Sequence, residues 1–331
     1  MKSLASAALK ILQDFESMEV ASLAWSLTSL SIGAGPGRAA AAPTKALTSN
    51  AAATSCEEGD SAAAALLCKL ADAPVVRQAE WNGHSLCLLA NALYPVRMGL
   101  SPALWAEIET RWLRQMDLLS SILHIESTPV DADSYVRALN ASGCFHAGPY
   151  YTHFLLAELG VPEAPWGFTS DARDQVLASR AGLGLEVSAG PWSADSATGE
   201  MVTGILCMLG FTMDVAGTTL ADQQLFVSEA RPVLSNQVPL DTFLVAAPLA
   251  HDRSGHAEFL ALSRVLSAVH AGGVDLLSES SRGCVTGHVH LYVTHHPCLS
   301  CVGAISQFSA LLPNISLRVS YDWRPAVPRG G

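Results

Sequence analysis

The sequence lacks an apolar run long enough to cross a lipid bilayer. It has 331 residues, of which 50% are hydrophobic and only 15% are charged, and its mean hydropathy is +0.28. The best candidate run, Leu86 to Tyr94, has about half of the roughly 20 residues that a membrane-spanning helix needs. The N-terminus combines Lys2 and Lys10 with acidic residues and has no apolar segment, which predicts no signal peptide. We therefore expect an intracellular protein without a membrane partner, located in an organelle or in the cytoplasm or nucleus.

Basic residues are also scarce. The chain has 19 Lys and Arg against 30 Asp and Glu, which gives a net charge of −11. Proteins that coat nucleic acids broadly are usually basic, so the composition argues against that class. It remains compatible with an enzyme that holds a nucleic acid in one local groove.

Cysteine is too sparse for a disulfide-stabilised scaffold. Eight cysteines in 331 residues lie well below the density of small secreted domains. Six of them are scattered through apolar segments and are predicted to be small buried residues: Cys56, Cys68, Cys87, Cys144, Cys207 and Cys284. Only Cys298 and Cys301 form a close pair, so the cysteine pattern directs attention to one place in the chain.

Residues 1–160 have the pattern of an all-α region. Apolar residues recur at helical spacing, interrupted over 31–55 by a linker rich in Ala, Gly and Pro. Two segments, Phe15–Thr28 and Trp81–Tyr94, share an aromatic start and a Leu-Ala-x-x-Leu sequence, and Val130–Ala141 is a fainter third copy. One interpretation is a helical repeat, and the other is chance similarity among Leu- and Ala-rich helices. The first segment resembles the helical repeats of organellar RNA-binding proteins of the FAST-kinase-like and octotricopeptide type.

A domain boundary is expected after these helices. The pattern predicts helices over Pro102–His124 and Gly148–Leu159, after which Pro and Gly become frequent. We therefore predict a linker over 161–199, a second domain over 200–323 and a tail over 324–331.

The second predicted domain alternates strands and helices. The order is strand, strand, helix, strand, helix, strand, at Leu225–Leu234, Leu240–Ala247, Gly255–Val269, His288–Thr294, Pro297–Leu312 and Ile315–Tyr321. The first two runs are separated by Ser235, Asn236 and Gln237 and are predicted to form a hairpin. Helices between the later strands favour an α/β fold with some parallel pairing, because parallel strands need a long crossover connection.

Two short motifs open the two helices of this domain. His256-Ala257-Glu258 begins the first, and the Cys298 and Cys301 pair, preceded by Pro297, begins the second. A catalytic zinc site uses three protein ligands and keeps one position for water. Two thiolates on one helical turn, near the positive end of the helix dipole, can bind an ion together with one imidazole from another helix. Glu258 lies close enough to His256 to move a proton without binding the metal.

This H-x-E…P-C-x-x-C arrangement resembles the signature of the cytidine deaminase-like superfamily of zinc-dependent nucleobase deaminases. The resemblance covers about Ala221 to Tyr321, including the strand before the cysteine motif. It implies an α/β/α sandwich, Glu258 as the general acid/base, and three zinc ligands, namely His256, Cys298 and Cys301. The alternative is two buried cysteines in an apolar helix and an exposed His-Ala-Glu turn.

The sequence departs from this family in one respect. The deaminase-like fold usually has five strands, whereas here only ten residues follow the predicted strand that ends at Tyr321. No fifth strand is visible in the pattern, which indicates either a compact variant of the fold or a truncated sequence.

Three residues are candidates for contact with a substrate base. Asn236 lies in the predicted hairpin turn, and His295 and His296 follow the strand beside the expected pocket. A turn asparagine and ordinary loop histidines are the alternatives. His288 and His290 lie on one face of that strand and are either a metal-binding pair or ordinary strand residues.

The resemblance implies hydrolytic deamination of a nucleobase, and the helical region favours a polynucleotide substrate over a free nucleoside. We expect cytosine to be converted to uracil in RNA or single-stranded DNA, with editing of organellar RNA as the most specific form. The motif itself does not distinguish cytosine from adenine. The alternatives are an inactive deaminase fold that binds or scaffolds, a toxin-type deaminase acting on DNA, and an enzyme for free nucleosides or nucleotides. The oligomeric state is not determined by the sequence.

Overall fold

A computed structural model describes residues 15–32, 61–73, 76, 80–124, 132–144, 147–183, 205–228, 243–247 and 253–322. Within these ranges the protein is mixed α/β, with helices first and a four-stranded mixed sheet towards the C-terminus. No helix in this part of the chain is both long enough and apolar enough to cross a membrane. The predicted tail 324–331 and nearly all of the predicted linker 31–55 lie outside the described residues.

The chain divides into two compact units, Met1–Gln115 and Met116–Gly331. This division lies inside a helix, whereas the change in composition suggests a boundary within 161–199. The first unit contains α1 (Ser17–Ile32), α2 (Ser61–Ala71), α3 (Gly83–Leu93), a 3₁₀ helix (Tyr94–Gly99) and the first part of α4 (Pro102–Leu123). α4 confirms the helix predicted over Pro102–His124, and the other helices agree with the all-α pattern predicted for this part of the chain.

Helices α1 and α3 begin at the same point of the two similar segments, two residues after Phe15 and Trp81. Met18 accepts a hydrogen bond from Ser85 near their starts, and Thr28 donates one to the carbonyl of Ala92 near their ends. Because these two contacts occur in the same order along both helices, α1 and α3 are parallel. Equivalent helices of neighbouring repeats are parallel in a helical solenoid, which favours the repeat interpretation. The repeat itself stays a prediction.

The second unit begins with the end of α4 and contains α5 (Ala132–Ala141), α6 (Pro149–Glu158) and α7 (Trp166–Leu183). Helix α6 confirms the helix predicted over Gly148–Leu159. Helix α7 corrects the prediction of an irregular linker over 161–199. Its Ala172 and Val176 are buried against the sheet, together with Leu206, Met208 and Tyr292. Flanking Pro and Gly residues obscured this helix in the sequence.

The sheet is built from β1 (Leu206–Val215), β2 (Thr218–Val227), β3 (Thr286–Val293) and β4 (Ile315–Tyr321), in the order β2-β1-β3-β4. β1 is antiparallel to both β2 and β3, and β3 is parallel to β4. β3 and β4 confirm the predicted strands and their parallel pairing. The helices that follow β2 and β3 are α8 (Ala257–Ala271), a short α9 (Glu279–Arg282) and α10 (Leu299–Leu311), which connects β3 to β4.

The hairpin of the sheet lies earlier than predicted. β1 and β2 are joined by Ala216 and Gly217, which have φ values of 52° and 81°. Positive φ at both central residues is the geometry of the two-residue turns that match the twist of a hairpin. Of the two predicted strands only Leu225–Val227 belongs to β2, and residues 243–247 are not a strand. The predicted turn, including Asn236, lies outside the described residues.

Helices pack on both faces of the sheet. Alternate residues of β1 point to opposite faces, and α7 covers the face that carries Leu206 and Met208. α8 packs against β1 and α10, with Gly272 at its end close to the side chain of Val215 on the other face. Buried apolar residues of β3 and β4 therefore have helices to pack against.

The outer edge of β4 is covered by the segment that leads into α7. The amide of Val319 donates to the carbonyl of Pro162 at 3.0 Å, and the amide of Ala164 donates to Ser320 Oγ at 3.0 Å. The described residues contain no fifth strand. These bonds satisfy part of an edge that would otherwise be open to pairing with another chain.

We expect Gly287→Ala to destabilise the protein. Gly287 in β3 has φ of 134°, and a Cβ there would overlap the carbonyl oxygen of Thr212 and lie 2.7 Å from Met213 Cα. Strain and overlap with a neighbouring backbone should cost at least about 2 kcal/mol, measured as the free energy of unfolding in urea.

Gly167→Ala is the matched control for this variant. Gly167 lies in α7 with no neighbouring atom within 4 Å of an added Cβ, so its effect should stay within about 1 kcal/mol. Equal unfolding free energies for the two variants would contradict the close approach of β3 to β1.

Candidate metal centre

The predicted motifs meet at one end of the sheet. The last residues of β2, β3 and β4 lie at this end, beside the start of β1. Val227 of β2 pairs with Leu206, the first residue of β1, and Val293 of β3 pairs with Cys207 of β1 and with Tyr321 of β4. α8 and α10 begin at the same end. His256 is the N-terminal cap of α8 and Cys298 is the N-terminal cap of α10. Pro297, at which the sequence pattern starts this helix, lies one residue before the N-terminal cap of α10.

Hydrogen bonds attach these helix starts to the strand ends. The amide of Ala257 donates to Ser228 Oγ at 3.1 Å, which fixes the first turn of α8 to the residue after β2. Thr294 exchanges two 3.0 Å hydrogen bonds with Leu206, one through its amide and one through its hydroxyl. The loop that carries the cysteine motif therefore leaves the sheet from a fixed point.

Three potential ligand atoms converge between the two helices. His256 Nδ1 lies 3.6 Å from Cys298 Sγ and 3.4 Å from Cys301 Sγ, and the two sulfur atoms are 3.6 Å apart. In the described part of the chain this is the one group of three or more His, Cys or acidic residues that could hold a metal ion. The convergence joins residues that are more than 40 positions apart in sequence.

The separations suit a tetrahedral ion. Zn–S bonds of about 2.3 Å and Zn–N bonds of about 2.0 Å place tetrahedral donor atoms roughly 3.5 to 3.8 Å apart. The observed distances agree within about 0.2 Å. All three side chains are buried, with exposed fractions of 8% for His256, 3% for Cys298 and 1% for Cys301. The donor set of two thiols and one imidazole is consistent with zinc.

The two cysteines differ in proton affinity. The hydrogen bond between the thiol groups of Cys298 and Cys301 lowers the pKa of Cys298 well below its usual value, and His256 and Arg253 lower it further. Burial, with the neighbouring Cys298 thiolate, raises the pKa of Cys301. The site therefore favours a thiolate at Cys298 over one at Cys301. A metal ion would have to displace the remaining proton, so its affinity should increase with pH.

Glu258 lies one residue beyond Ala257 in the first turn of α8, with 3% of its side chain exposed. Its Oε2 is buried and has no hydrogen-bond partner among the described residues. Burial raises the pKa of this carboxyl, and the nearby His256 opposes that rise. The carboxylate also contributes to the raised pKa of buried Cys207 on β1. A buried oxygen with no protein partner, next to three metal donors, fits a site that also holds water or substrate.

Arg253 is a member of the site that the sequence analysis missed. It is buried, and its Nη1 lies 3.4 Å from Nε2 of His256, while its carbonyl accepts from the amide of His256 at 3.0 Å. Its positive charge lowers the pKa values of both Cys298 and Cys301. No spacing rule identifies an arginine three residues before a ligand, so only the folded chain reveals this charge.

The two histidines predicted to contact substrate directly precede the candidate ligand Cys298 and its neighbouring Pro297 in the chain. His295 and His296 are both buried, and their ring centroids are 3.9 Å apart. His295 Nδ1 donates to the carbonyl of His296 at 2.9 Å, and burial lowers the pKa of His295 to about 4. His295 is therefore neutral at physiological pH and can serve as a hydrogen-bonding or stacking group without carrying charge.

The other candidate histidines lie elsewhere. His288 and His290 stack on each other with centroids 5.0 Å apart, and His290 also contacts Phe168 of α7. They share the strand face that bears Tyr292, which packs against α7, so they do not join the cysteines. The scattered cysteines Cys87, Cys144 and Cys207 are buried as predicted, whereas Cys284 is exposed.

Comparison with other proteins gives no relative for this chain. No protein-family model, no curated protein and no solved structure matches it.

We predict one zinc ion per chain in protein purified without chelators, measured by inductively coupled plasma mass spectrometry. Cys298→Ser and Cys301→Ser each remove one of the three donors and should weaken zinc binding at least about a hundredfold. Cys284→Ser is the matched control, because Cys284 is exposed and does not belong to the cluster. Unchanged zinc content in both ligand variants would show that the cluster does not bind metal.

Proposed function

We propose that this protein is a zinc-dependent hydrolase that deaminates a nucleobase, with His256, Cys298 and Cys301 as the zinc ligands. The observation that carries the proposal is the convergence of these three donors beside the buried carboxylate of Glu258. Three protein ligands leave one tetrahedral position for water or substrate, as catalytic zinc sites require. When bound, zinc would supply the Lewis acidity that makes water nucleophilic near neutral pH.

Glu258 carries the protons of the proposed reaction. Its carboxylate takes a proton from the attacking water while a C–O bond forms at the ring carbon that bears the amine. It then gives this proton to the adjacent ring nitrogen. A second proton transfer allows the C–N bond to break with release of ammonia, which leaves a carbonyl on the ring. The burial that raises the pKa of Glu258 suits a group that must both accept and donate protons.

The proposed fold is the deaminase-like α/β/α sandwich. Helices on both faces of the sheet, the parallel β3–β4 pair and the motifs at the starts of α8 and α10 support it. Four strands are described instead of the five usual for that fold. The residues from Pro162 to Ala164 cover the edge of β4, where a fifth strand could otherwise pair.

Cytosine in a polynucleotide is the proposed substrate, with conversion to uracil in RNA or single-stranded DNA. The helical region that precedes the sheet supports this choice, because helical repeats often provide extended binding surfaces. His295 and His296 are proposed to contact the base, since both lie directly before the cysteine motif. The net charge of −11 restricts any nucleic-acid contact to a local surface.

A binding or scaffolding protein with a structural zinc ion is the second candidate. The burial of all three ligands, down to 1% exposure for Cys301, favours it, because structural zinc sites are closed. A structural site does not require the carboxylate of Glu258, so this residue distinguishes the two functions.

Replacement of Glu258 tests the catalytic proposal. We expect Glu258→Gln to keep one zinc ion per chain and to lower the deamination rate by about 10² to 10⁴, because proton transfer is lost while the ligands remain. Glu279→Gln, at an exposed position in α9, is the control and should retain wild-type activity. Undiminished activity of Glu258→Gln would overturn the assigned role.

A substrate panel tests the rest of the proposal. Single-stranded RNA, single-stranded DNA, duplex DNA, and free cytidine and adenosine should be assayed side by side for release of ammonia. Conversion of cytosine in a single-stranded polynucleotide is the expected result. Activity on free nucleosides alone would assign the enzyme to nucleoside metabolism, and zinc binding without any conversion would favour the scaffold.

A further inference from the structure

One face of the ligand helix α10 is covered by the end of α4 and by α5. Ser306 donates a hydrogen bond from its hydroxyl to the carbonyl of Leu123, the last residue of α4, at 2.5 Å. Tyr135 of α5 lies against the same helix at Gly303. All of these residues belong to the second compact unit. The sequence pattern predicts a separate all-α region that includes Leu123 and Tyr135, whereas the structure places both against α10.

Gly303 forms a notch for the phenol of Tyr135. A Cβ on residue 303 would overlap the Tyr135 hydroxyl, and would lie 2.7 Å from Tyr135 Cζ and 3.3 Å from Leu123 Cδ2. Glycine inside a helix is normally unfavourable, so a glycine here indicates a packing requirement. Only 6% of Tyr135 is exposed, so the whole side chain occupies this contact.

The notch lies close to the metal ligands along the helix. Gly303 follows Cys301 by two residues and therefore belongs to the first two turns of α10. Burial raises the pKa of Tyr135, and the electrostatic influence of Cys298 and Cys301 raises it further, which agrees with a position near both sulfur atoms.

The same side of α10 is also held one turn later. Gln307 is four residues after Gly303 and its amide makes two hydrogen bonds to the backbone of Val245, at 2.8 and 2.9 Å. A helix held at both points cannot easily rotate or slide. Its first turn, with Cys298 and Cys301, therefore has a defined orientation towards His256.

We propose that Tyr135 is a positioning residue of the metal centre. Its phenol, seated on Gly303, sets the depth and rotation of α10 so that both sulfur atoms face His256 Nδ1. Donor atoms must be held within about 0.5 Å for tight metal binding, and the side chains around the ligands provide that precision. The inference rests on the metal-binding part of the proposed function and does not depend on deamination.

The test compares full-length variants by zinc affinity and by the absorption spectrum of the cobalt-substituted protein. Zinc affinity is measured by competition with a chromophoric chelator, and the spectrum reports thiolate ligation and tetrahedral geometry. We expect Gly303→Ala to weaken zinc binding at least about tenfold and to change the cobalt spectrum. Tyr135→Phe alone keeps the ring on Gly303 and should stay within about threefold of the wild type.

The double variant tests the contact itself. Tyr135→Phe removes the hydroxyl that an added Cβ would overlap, so Gly303→Ala combined with Tyr135→Phe should bind zinc more tightly than Gly303→Ala alone. Gly167→Ala, a helical glycine of the same unit with open space around it, is the control for the added methyl group. Tyr151→Phe, in α6, is the control for loss of a buried hydroxyl.

The outcomes separate this inference from the proposed function. If the wild type binds zinc and Gly303→Ala has the same affinity and cobalt spectrum but lower unfolding stability, Tyr135 only packs and the inference is wrong. If the wild type binds no zinc, both proposals fail. Should Gly303→Ala not fold, Tyr135→Ala decides: it leaves the notch empty and should weaken zinc binding, and wild-type affinity would overturn the inference.

Discussion

The site depends on the meeting of two helix N-termini at one end of the sheet. Each terminus carries the partial positive charge of its helix dipole, which favours anionic ligands such as thiolates. Because α8 packs against both β1 and α10, the two capping residues meet, and His256 Nδ1 lies 3.6 Å from Cys298 Sγ. If the packing of α8 on α10 were lost, the ligand set would be lost with it.

Burial of so many ionisable groups requires mutual compensation. Two cysteines, one histidine, one glutamate and one arginine share a region in which every one of them is buried. Isolated charges there would be costly, and the opposite charges of Arg253 and Cys298 reduce that cost. A divalent cation would compensate the second thiolate in the same way. The stability of the site and its metal affinity are therefore linked by the same charges.

The helices before the sheet are part of the structure that supports the site. α7 covers one sheet face, the residues before it cover the edge of β4, and α5 with the end of α4 covers α10. The proposed deaminase domain consequently extends beyond the residues of its motifs.

Local sequence patterns predicted the candidate site residues and most of the helices and strands around them. The spacing of His256, Glu258, Cys298 and Cys301 and the alternation of Ile315–Tyr321 are local patterns, and the corresponding helix starts and strand were found where predicted. The folded chain was needed to show the β1–β2 hairpin, the burial of α7, the position of Arg253 beside His256 and the contact of Tyr135 with Gly303. The burial of α7 and the contact of Tyr135 with Gly303 depend on residues that meet from distant parts of the chain, and periodicity over a few turns carries no information about such contacts.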